Sequence, residues 1–170
     1  MKKKVLVTGS SGFLGSHLVD ALELKGFKVV LFDSKPSKYK SKNQTEIIGD
    51  ILNFEKLQLA IKGCHAVFHF AGQADIETSN KYPQETMEVN ILGTQNILEA
   101  SRLENIERFL FASTIYVYSE LGSFYKVSKQ SSEKIIEEYQ KQFNLDYTIL
   151  RFGSVYGPRS NNFNSINLML

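Results

Sequence analysis

Tyr125 and Lys129 stand four residues apart in the stretch Phe124-Tyr125-Lys126-Val127-Ser128-Lys129. On a helix that spacing puts both side chains on one face, about 6 Å apart along the axis. A phenol is a poor base near neutral pH because its ordinary pKa is about 10, and a neighbouring ammonium stabilises the phenolate. The pair therefore suits removal of a proton from an alcohol. Ser113 and Thr114 close the apolar run that precedes this helix, and either hydroxyl could hold a substrate oxygen beside the tyrosine. By itself a Tyr-x-x-x-Lys match is common in a chain rich in both residues, so its weight comes from what surrounds it.

A second constellation lies near the N-terminus, where Val7-Thr8-Gly9-Ser10-Ser11-Gly12-Phe13-Leu14-Gly15 joins an apolar run to a helical pattern. A strand, a glycine turn and a helix in that order aim backbone N–H groups and the positive end of the helix dipole at one point, and such a point binds phosphate. Gly9 permits the tight turn, Gly12 lets a pyrophosphate approach the main chain, and Gly15 lets the helix pack on the sheet. The spacing GxxGxxG differs by one residue from the commonest dinucleotide fingerprint. A tight turn that needs glycine for geometry alone is the bland alternative.

Asp33 ends the second apolar run, near the separation at which an acidic residue meets the adenosine ribose of a dinucleotide. Its carboxylate can accept both ribose hydroxyls and would repel a 2′-phosphate, which favours NAD over NADP, although Lys35 and Lys38 lie close by. A turn cap is the alternative role. Gly49-Asp50-Ile51 and Phe70-Ala71-Gly72 follow the next two runs, at the strand ends where ligands sit in open α/β sheets. Asp50 serves equally well as a helix cap and Gly72 as a turn residue.

Short apolar runs rich in β-branched and aromatic residues alternate with amphipathic segments, the pattern of repeated βαβ units. Strands are predicted over Lys4–Thr8, Lys28–Asp33, Glu46–Gly49, Ala66–Phe70, Arg108–Ala112 and Tyr147–Arg151, and helices over Gly12–Lys25, Phe54–Ile61, Pro83–Leu103 and Phe124–Phe143. Continuously apolar strands imply burial on both faces, hence a parallel sheet with helices on each side. Residues 34–45 are polar and read as an exposed loop, and the apolar run Ile166-Asn167-Leu168-Met169-Leu170 reads as the start of a helix.

The 170 residues suit one domain with a sizeable core, and a net charge of +2 with mixed signs leaves no footprint for nucleic acid or an anionic membrane. Cys64 is the single cysteine, which excludes an internal disulfide framework and fits a reducing cytoplasm. No apolar segment approaches the roughly 20 residues of a membrane span. His17, His65 and His69 are too scattered for a metal site.

In these motifs the sequence resembles the extended short-chain dehydrogenase/reductase family, specifically the NAD-dependent epimerase/dehydratase group that acts on nucleotide sugars. The resemblance spans nearly the whole chain. It rests on Thr8 to Gly15, Asp33, Gly49-Asp50-Ile51, His69 to Gly72, Asn90-Ile91-Leu92-Gly93-Thr94, Ser113-Thr114, Tyr125 to Lys129 and Arg151 to Arg159. It implies a Rossmann-type doubly wound parallel sheet, strand order 3-2-1-4-5-6. Residues 1–160 would form the NAD-binding domain and residues 161–170 would begin a substrate-domain segment.

The same resemblance makes Tyr125 the catalytic acid/base, Lys129 the residue that holds the nicotinamide ribose and lowers the tyrosine pKa, and Thr114 the catalytic hydroxyl. The cofactor set it implies is Gly9, Ser11, Gly12, Phe13, Leu14, Gly15, Asp33, Asp50, Ile51, Phe70, Ala71, Gly72, Asn90, Ser113, Tyr125 and Lys129. Asn90 would support the site from its helix, with Gly93 permitting close packing. The implied activity is a nucleotide-sugar 4-epimerase on a UDP-sugar, working as a homodimer paired through the two long helices. A carbonyl reductase of the same fold and a non-catalytic dinucleotide-binding module are the other readings.

Against the family pattern, Ile115-Tyr116 stands where dehydratases carry Asp-Glu, which disfavours dehydration. The connection Ser119 to Phe124 is short, and Ser154 replaces a frequent Asn. Family members continue well beyond this length into a smaller domain, so the chain alone is expected to bind cofactor without efficient catalysis.

Overall fold

The computed structural model describes residues 2–42 and 44–160. Its elements are β1 (Lys4–Thr8), α1 (Phe13–Leu24), β2 (Lys28–Asp33), β3 (Thr45–Ile48), α2 (Phe54–Ile61), β4 (Ala66–His69), α3 (Ile76–Lys81), α4 (Pro83–Met87), α5 (Gly93–Leu103), β5 (Arg108–Thr114), α6 (Ser123–Phe143) and β6 (Tyr147–Phe152). The helix expected to begin near residue 166 lies outside the described residues.

All five strand pairings are parallel, in the expected order β3-β2-β1-β4-β5-β6. This is a Rossmann-type sheet. β1 pairs with β2 on one side and β4 on the other, so the chain reverses its direction of progress there and opens a crevice at the carboxyl ends of the strands. Thr8 lies opposite Phe32 and His69, and Thr114 opposite Phe152, which brings the candidate loops to one edge.

Alternation along each strand divides the core in two. Leu6, Val30, Phe32, Val67, Phe109 and Phe111 face one side and pack against residues of α2, α5 and α6. Val5, Val7, Val29, Leu31 and Ala66 face the other and pack against Val19 and Leu22 of α1. Burying each of the fully enclosed Phe32, Phe109 and Phe111 side chains contributes roughly 1.5–3 kcal/mol. Cys64 is a buried core residue.

Three differences from the sequence prediction bear on the site. β5 runs two residues further, to Thr114, because its pairing with β6 continues to the ends of both strands. The short helix α3 was not predicted: it has little apolar periodicity and rests on its cap, where Asp75 accepts from the Thr78 N–H at 2.7 Å. The helix expected over 83–103 is interrupted by a π-helical turn at Glu88–Leu92, between α4 and α5. Asn90 sits in that turn, and its carbonyl accepts from Thr94 Oγ1 at 2.6 Å and Ser132 Oγ at 2.9 Å. An extra residue in the turn swings these groups off the regular ladder, as π-bulges do.

Candidate functional site

The glycine loop carries α1 directly from β1. Gly9 has φ +69, and a Cβ there would stand 2.6 Å from the Ala71 nitrogen; a Cβ on Gly15 would stand 2.0 Å from the Gly9 oxygen. Both glycines are therefore demanded by packing. Gly12 is different, since its Cβ would meet only the Gly9 oxygen, at 3.3 Å. Among the described residues that single tight contact is all a Cβ would meet, and Gly12 lines both clefts. α1 has no side-chain cap and no acidic residue in its first turn, so no side chain of its own offsets its positive end.

Two clefts meet at this loop. The first, about 1100 Å³, is lined by Gly9, Ser11, Gly12, Asp33, Asp50, Ile51, Phe70, Ala71 and Gly72 among others. The second, about 560 Å³, is lined by Gly9, Gly12, Phe13, Leu14, Gly15, Phe70 and Gly72, and by Ser113, Thr114, Tyr125 and Lys129. Gly9, Gly12, Phe70 and Gly72 belong to both. A single elongated groove thus runs from Asp33 to Tyr125 past the start of α1.

At the Asp33 end the carboxylate is held in place. Its Oδ2 accepts the Ser11 N–H at 2.9 Å, its Oδ1 accepts the Lys35 N–H at 3.2 Å, and Ser11 Oγ donates to the Lys35 carbonyl at 2.7 Å. Lys35, Lys38 and Arg159 line the same cleft. Arg159 follows β6 and folds back, stacking 4.2 Å over the Tyr39 ring with a nitrogen 2.8 Å from Asp20. Sequence reasoning noted Arg159 in a motif but gave it no place here.

Asp50 accepts from the Leu52 N–H at 2.9 Å, the local turn role left open for it, and still lines the first cleft. Ile51 lies against Gly93, whose Cβ would meet the Ile51 Cδ1 at 2.4 Å, so Gly93 does serve close packing.

At the other end the two hydroxyls divide their tasks. Thr114 hydrogen-bonds the Tyr125 phenol, whereas Ser113 Oγ donates to Glu133 Oε1 at 2.5 Å. Ser113 lines the cleft, but its hydroxyl is committed to that carboxylate. Asn90 also departs from the expected cofactor contact. It is buried and lines neither cleft, because its Oδ1 accepts the Gln73 N–H at 2.8 Å while its Nδ2 donates to the Gln73 carbonyl and Ser128 Oγ, each at 2.9 Å. It braces the loop after β4 against α6.

Tyr125 and Lys129 share the second cleft, yet the expected lowering of the tyrosine pKa is not found. Burial pushes the phenol up from its ordinary value, the Thr114 hydrogen bond opposes this, and the Tyr116 phenol adds to it. Lys129 is 5% exposed; its Nζ donates to the Ala112 carbonyl at 2.8 Å and lies 4.6 Å over the Phe111 ring. Burial lowers its pKa to about 8, with the Glu133 charge pulling the other way.

His69 was expected to be a strand residue, and it is one that joins three elements. Thr94 Oγ1 already donates to Asn90, so His69 Nε2 donates to Thr94 Oγ1 (2.9 Å) and its Nδ1 accepts from Thr8 Oγ1 (2.8 Å), which in turn accepts the Ala71 N–H (3.3 Å). This chain requires the neutral imidazole. Burial, and then the nearby Lys129 charge, hold its pKa well below the ordinary value. Among the described residues no cluster of three or more His, Cys, Asp or Glu could hold a metal ion, and no helix is long and apolar enough to cross a membrane.

Residues 5–169 match the model of the NAD dependent epimerase/dehydratase family. A UDP-N-acetyl-alpha-D-glucosaminuronate decarboxylase of Bacillus cytotoxicus is 32% identical, the match covering 94% of this chain and 57% of the relative. The uncharacterized UDP-glucose epimerase YtcB of Bacillus subtilis is 33% identical over 92% of this chain and 58% of its own length. Among solved structures, Thermus thermophilus UDP-glucose 4-epimerase in complex with NAD superposes with a TM-score of 0.89 at 30% identity, covering 97% of this chain and 60% of that one. The chain thus spans somewhat under two thirds of the length of these relatives. With a matching family model over nearly its full length and the same sheet order, the chain belongs to the NAD-dependent epimerase/dehydratase family.

Proposed function

We propose that residues 1–160 form an NAD-binding domain and that the protein is a nucleotide-sugar epimerase acting at the 4-position of a UDP-sugar. The observation that carries this reading is the continuous groove, with a fixed carboxylate at one end, an uncapped helix N-terminus at its middle, and a buried phenol and amine at the other end. The residues present fit a dinucleotide. Gly12 lines both clefts with no side chain to obstruct them, the N–H groups of Phe13, Leu14 and Gly15 open α1 for phosphate, and Asp33 offers a carboxylate to ribose hydroxyls.

Bound NAD would supply a hydride acceptor that is restored within the same turnover. The protein's own part is proton handling. Tyr125, held by Thr114, takes the proton from the sugar hydroxyl and returns it, while the Lys129 ammonium stabilises the phenolate as it forms. Burial helps here, because an ammonium in a water-poor cleft acts on its neighbour more strongly than one in solvent. The same enclosure is what pushes the unassisted phenol up.

The test is direct. Calorimetry should show NAD binding, and the full-length protein should interconvert UDP-glucose and UDP-galactose without net NADH formation. Net NADH formation or consumption with added carbonyl compounds would instead establish a reductase. NAD binding with no turnover of any UDP-hexose by the full-length protein would leave only the dinucleotide-binding module.

The proposal includes a homodimer paired through α5 and α6, supported by the exposure of Leu103, Val127 and Phe143 on those helices and of Leu92 just before α5. Light scattering that returns a monomer at micromolar concentration overturns it. A cytoplasmic enzyme is consistent with the single free, buried thiol.

A further inference from the structure

Behind Lys129 lies an ion pair, with a buried carboxylate and a more exposed guanidinium, that the proton chemistry above does not use. Glu133 follows Lys129 by one helical turn on α6 and is 6% exposed. Its Oε1 accepts from Ser113 Oγ at 2.5 Å and Arg151 Nε at 3.0 Å, and its Oε2 accepts from an Arg151 terminal nitrogen at 2.8 Å. Arg151 in turn stacks on the Tyr118 ring at 4.9 Å and donates to its hydroxyl. The fork of a guanidinium fits a carboxylate in two places at once, so this grip orients Glu133 strongly.

The consequence is that Glu133 does not capture Lys129. Three of its roughly four acceptor positions are taken from β5 and β6, and the Lys129 amine donates instead to the Ala112 carbonyl. A carboxylate one helical turn away that acts through space without a hydrogen bond to the amine is an electrostatic support. We propose that Glu133, fixed by Arg151 and Ser113, is the positioning residue that keeps the Lys129 amine charged and free to serve the second cleft.

The surroundings leave few competitors. On α6 Lys129 faces Tyr125 and Glu133; from β4 comes His69, held neutral; from β5, the Phe111 ring and Ala112 carbonyl; from β6, Arg151, whose charge offsets that of Glu133. Asp75, before α3, and Tyr116, after β5, line the same cleft. Glu133 is the group identified as raising the Lys129 pKa against burial. An amine titrating near 8 is mostly charged at pH 7.5, whereas one titrating about one unit lower is mostly neutral and no longer helps a phenolate.

The balance of charges gives opposite signs for two substitutions. Glu133→Gln removes the support and leaves an unpaired guanidinium, which should move the Lys129 midpoint down by about one pH unit or more. Arg151→Met removes the offset and should move it up. The double variant should return it toward the wild-type value. A role in folding alone gives no such reversal.

The measurement is NMR titration of the chain labelled with 13Cε-lysine, the Lys129 signal being assigned by its loss in Lys129→Met. An unchanged midpoint in folded Glu133→Gln, or shifts of the same sign in both single variants, overturns the proposal. If Glu133→Gln does not fold, Arg151→Met decides alone: an upward shift supports the proposal and any other result overturns it. The functional consequence rests on reading Tyr125 and Lys129 as the acid–base pair, but the titration uses neither substrate nor NAD. It can therefore fail while the epimerase assay succeeds, or succeed while the assay fails.

Discussion

The glycine loop at which the two clefts meet is a main-chain site, in which Gly9 and Gly15 are required by contacts of 2.6 and 2.0 Å and a helix begins without a side-chain cap, whereas the Tyr125 end of the second cleft is backed by polar side chains that hold one another. A backbone site depends on the fold of one short segment. The side-chain site depends on β4, β5, β6, α6 and the π-helical turn arriving together. The first should therefore fail through steric insertion, and the second through loss of a charge or a proton.

The largest effect expected is on the second cleft. In the full-length protein Tyr125→Phe should lower epimerase turnover by about a thousandfold, within the usual range for a general acid–base group, while NAD affinity stays within about twofold. Calorimetry and the UDP-sugar assay on the same preparation check both halves; an equal loss of NAD affinity would erase the distinction between the clefts.

The next effect belongs to the loop. Gly15→Ala should destabilise the protein by about 3 kcal/mol, because its Cβ meets fixed backbone, whereas Gly12→Ala should cost less than about 1 kcal/mol and yet weaken NAD binding at least tenfold. Thermal unfolding with and without NAD separates the two. Equal destabilisation by both would mean that Gly12, too, is there for packing.

Asp33→Ser sharpens the comparison within the first cleft. Loss of the carboxylate should reduce NAD affinity about tenfold and narrow the preference over NADP, since Lys35, Lys38 and Arg159 remain. Parallel titrations with the two dinucleotides measure it.

The smallest effect concerns His69, which joins β4 to β1 and α5. The folded chain holds this imidazole neutral, while the unfolded chain takes up a proton below about pH 6.5. The folded pKa is the lower one, so the His69 contribution to stability is complete above about 6.5 and falls as pH drops below it, by at most about 1.4 kcal/mol per unit. Urea unfolding at pH 7.5, 6.0 and 5.0 should show this loss in the wild type and a flatter profile in His69→Asn.

Much of the first cleft was legible because its requirements are local. Glycine spacing and an acid at the end of the next strand both follow from adjacency in the chain, and the sheet order followed from the family those motifs indicate. The second cleft was legible only in part. Tyr125 and Lys129 carry a helical spacing that can be recognised, and Glu133 continues it, but nothing in the sequence said that Arg151 would fill its carboxylate or that Ser113 would turn away from the substrate side. Asn90 was recognised through the motif around it, but its commitment to Gln73 and Ser128 was not legible, since it depends on a π-helical turn with no periodic signature.

The sequence by itself determined the alternation of strands and helices, the glycine loop and the placing of a phenol and an amine at helical spacing, because these follow from side-chain periodicity and backbone freedom along neighbouring residues. Only the tertiary structure decided the protonation environment: that burial lifts Tyr125 and lowers Lys129, that His69 is neutral, and that Glu133 supports the amine without seizing it. Those outcomes depend on how much water each group loses and which charges stand beside it, and both are set by how the fold packs together residues up to 61 positions apart.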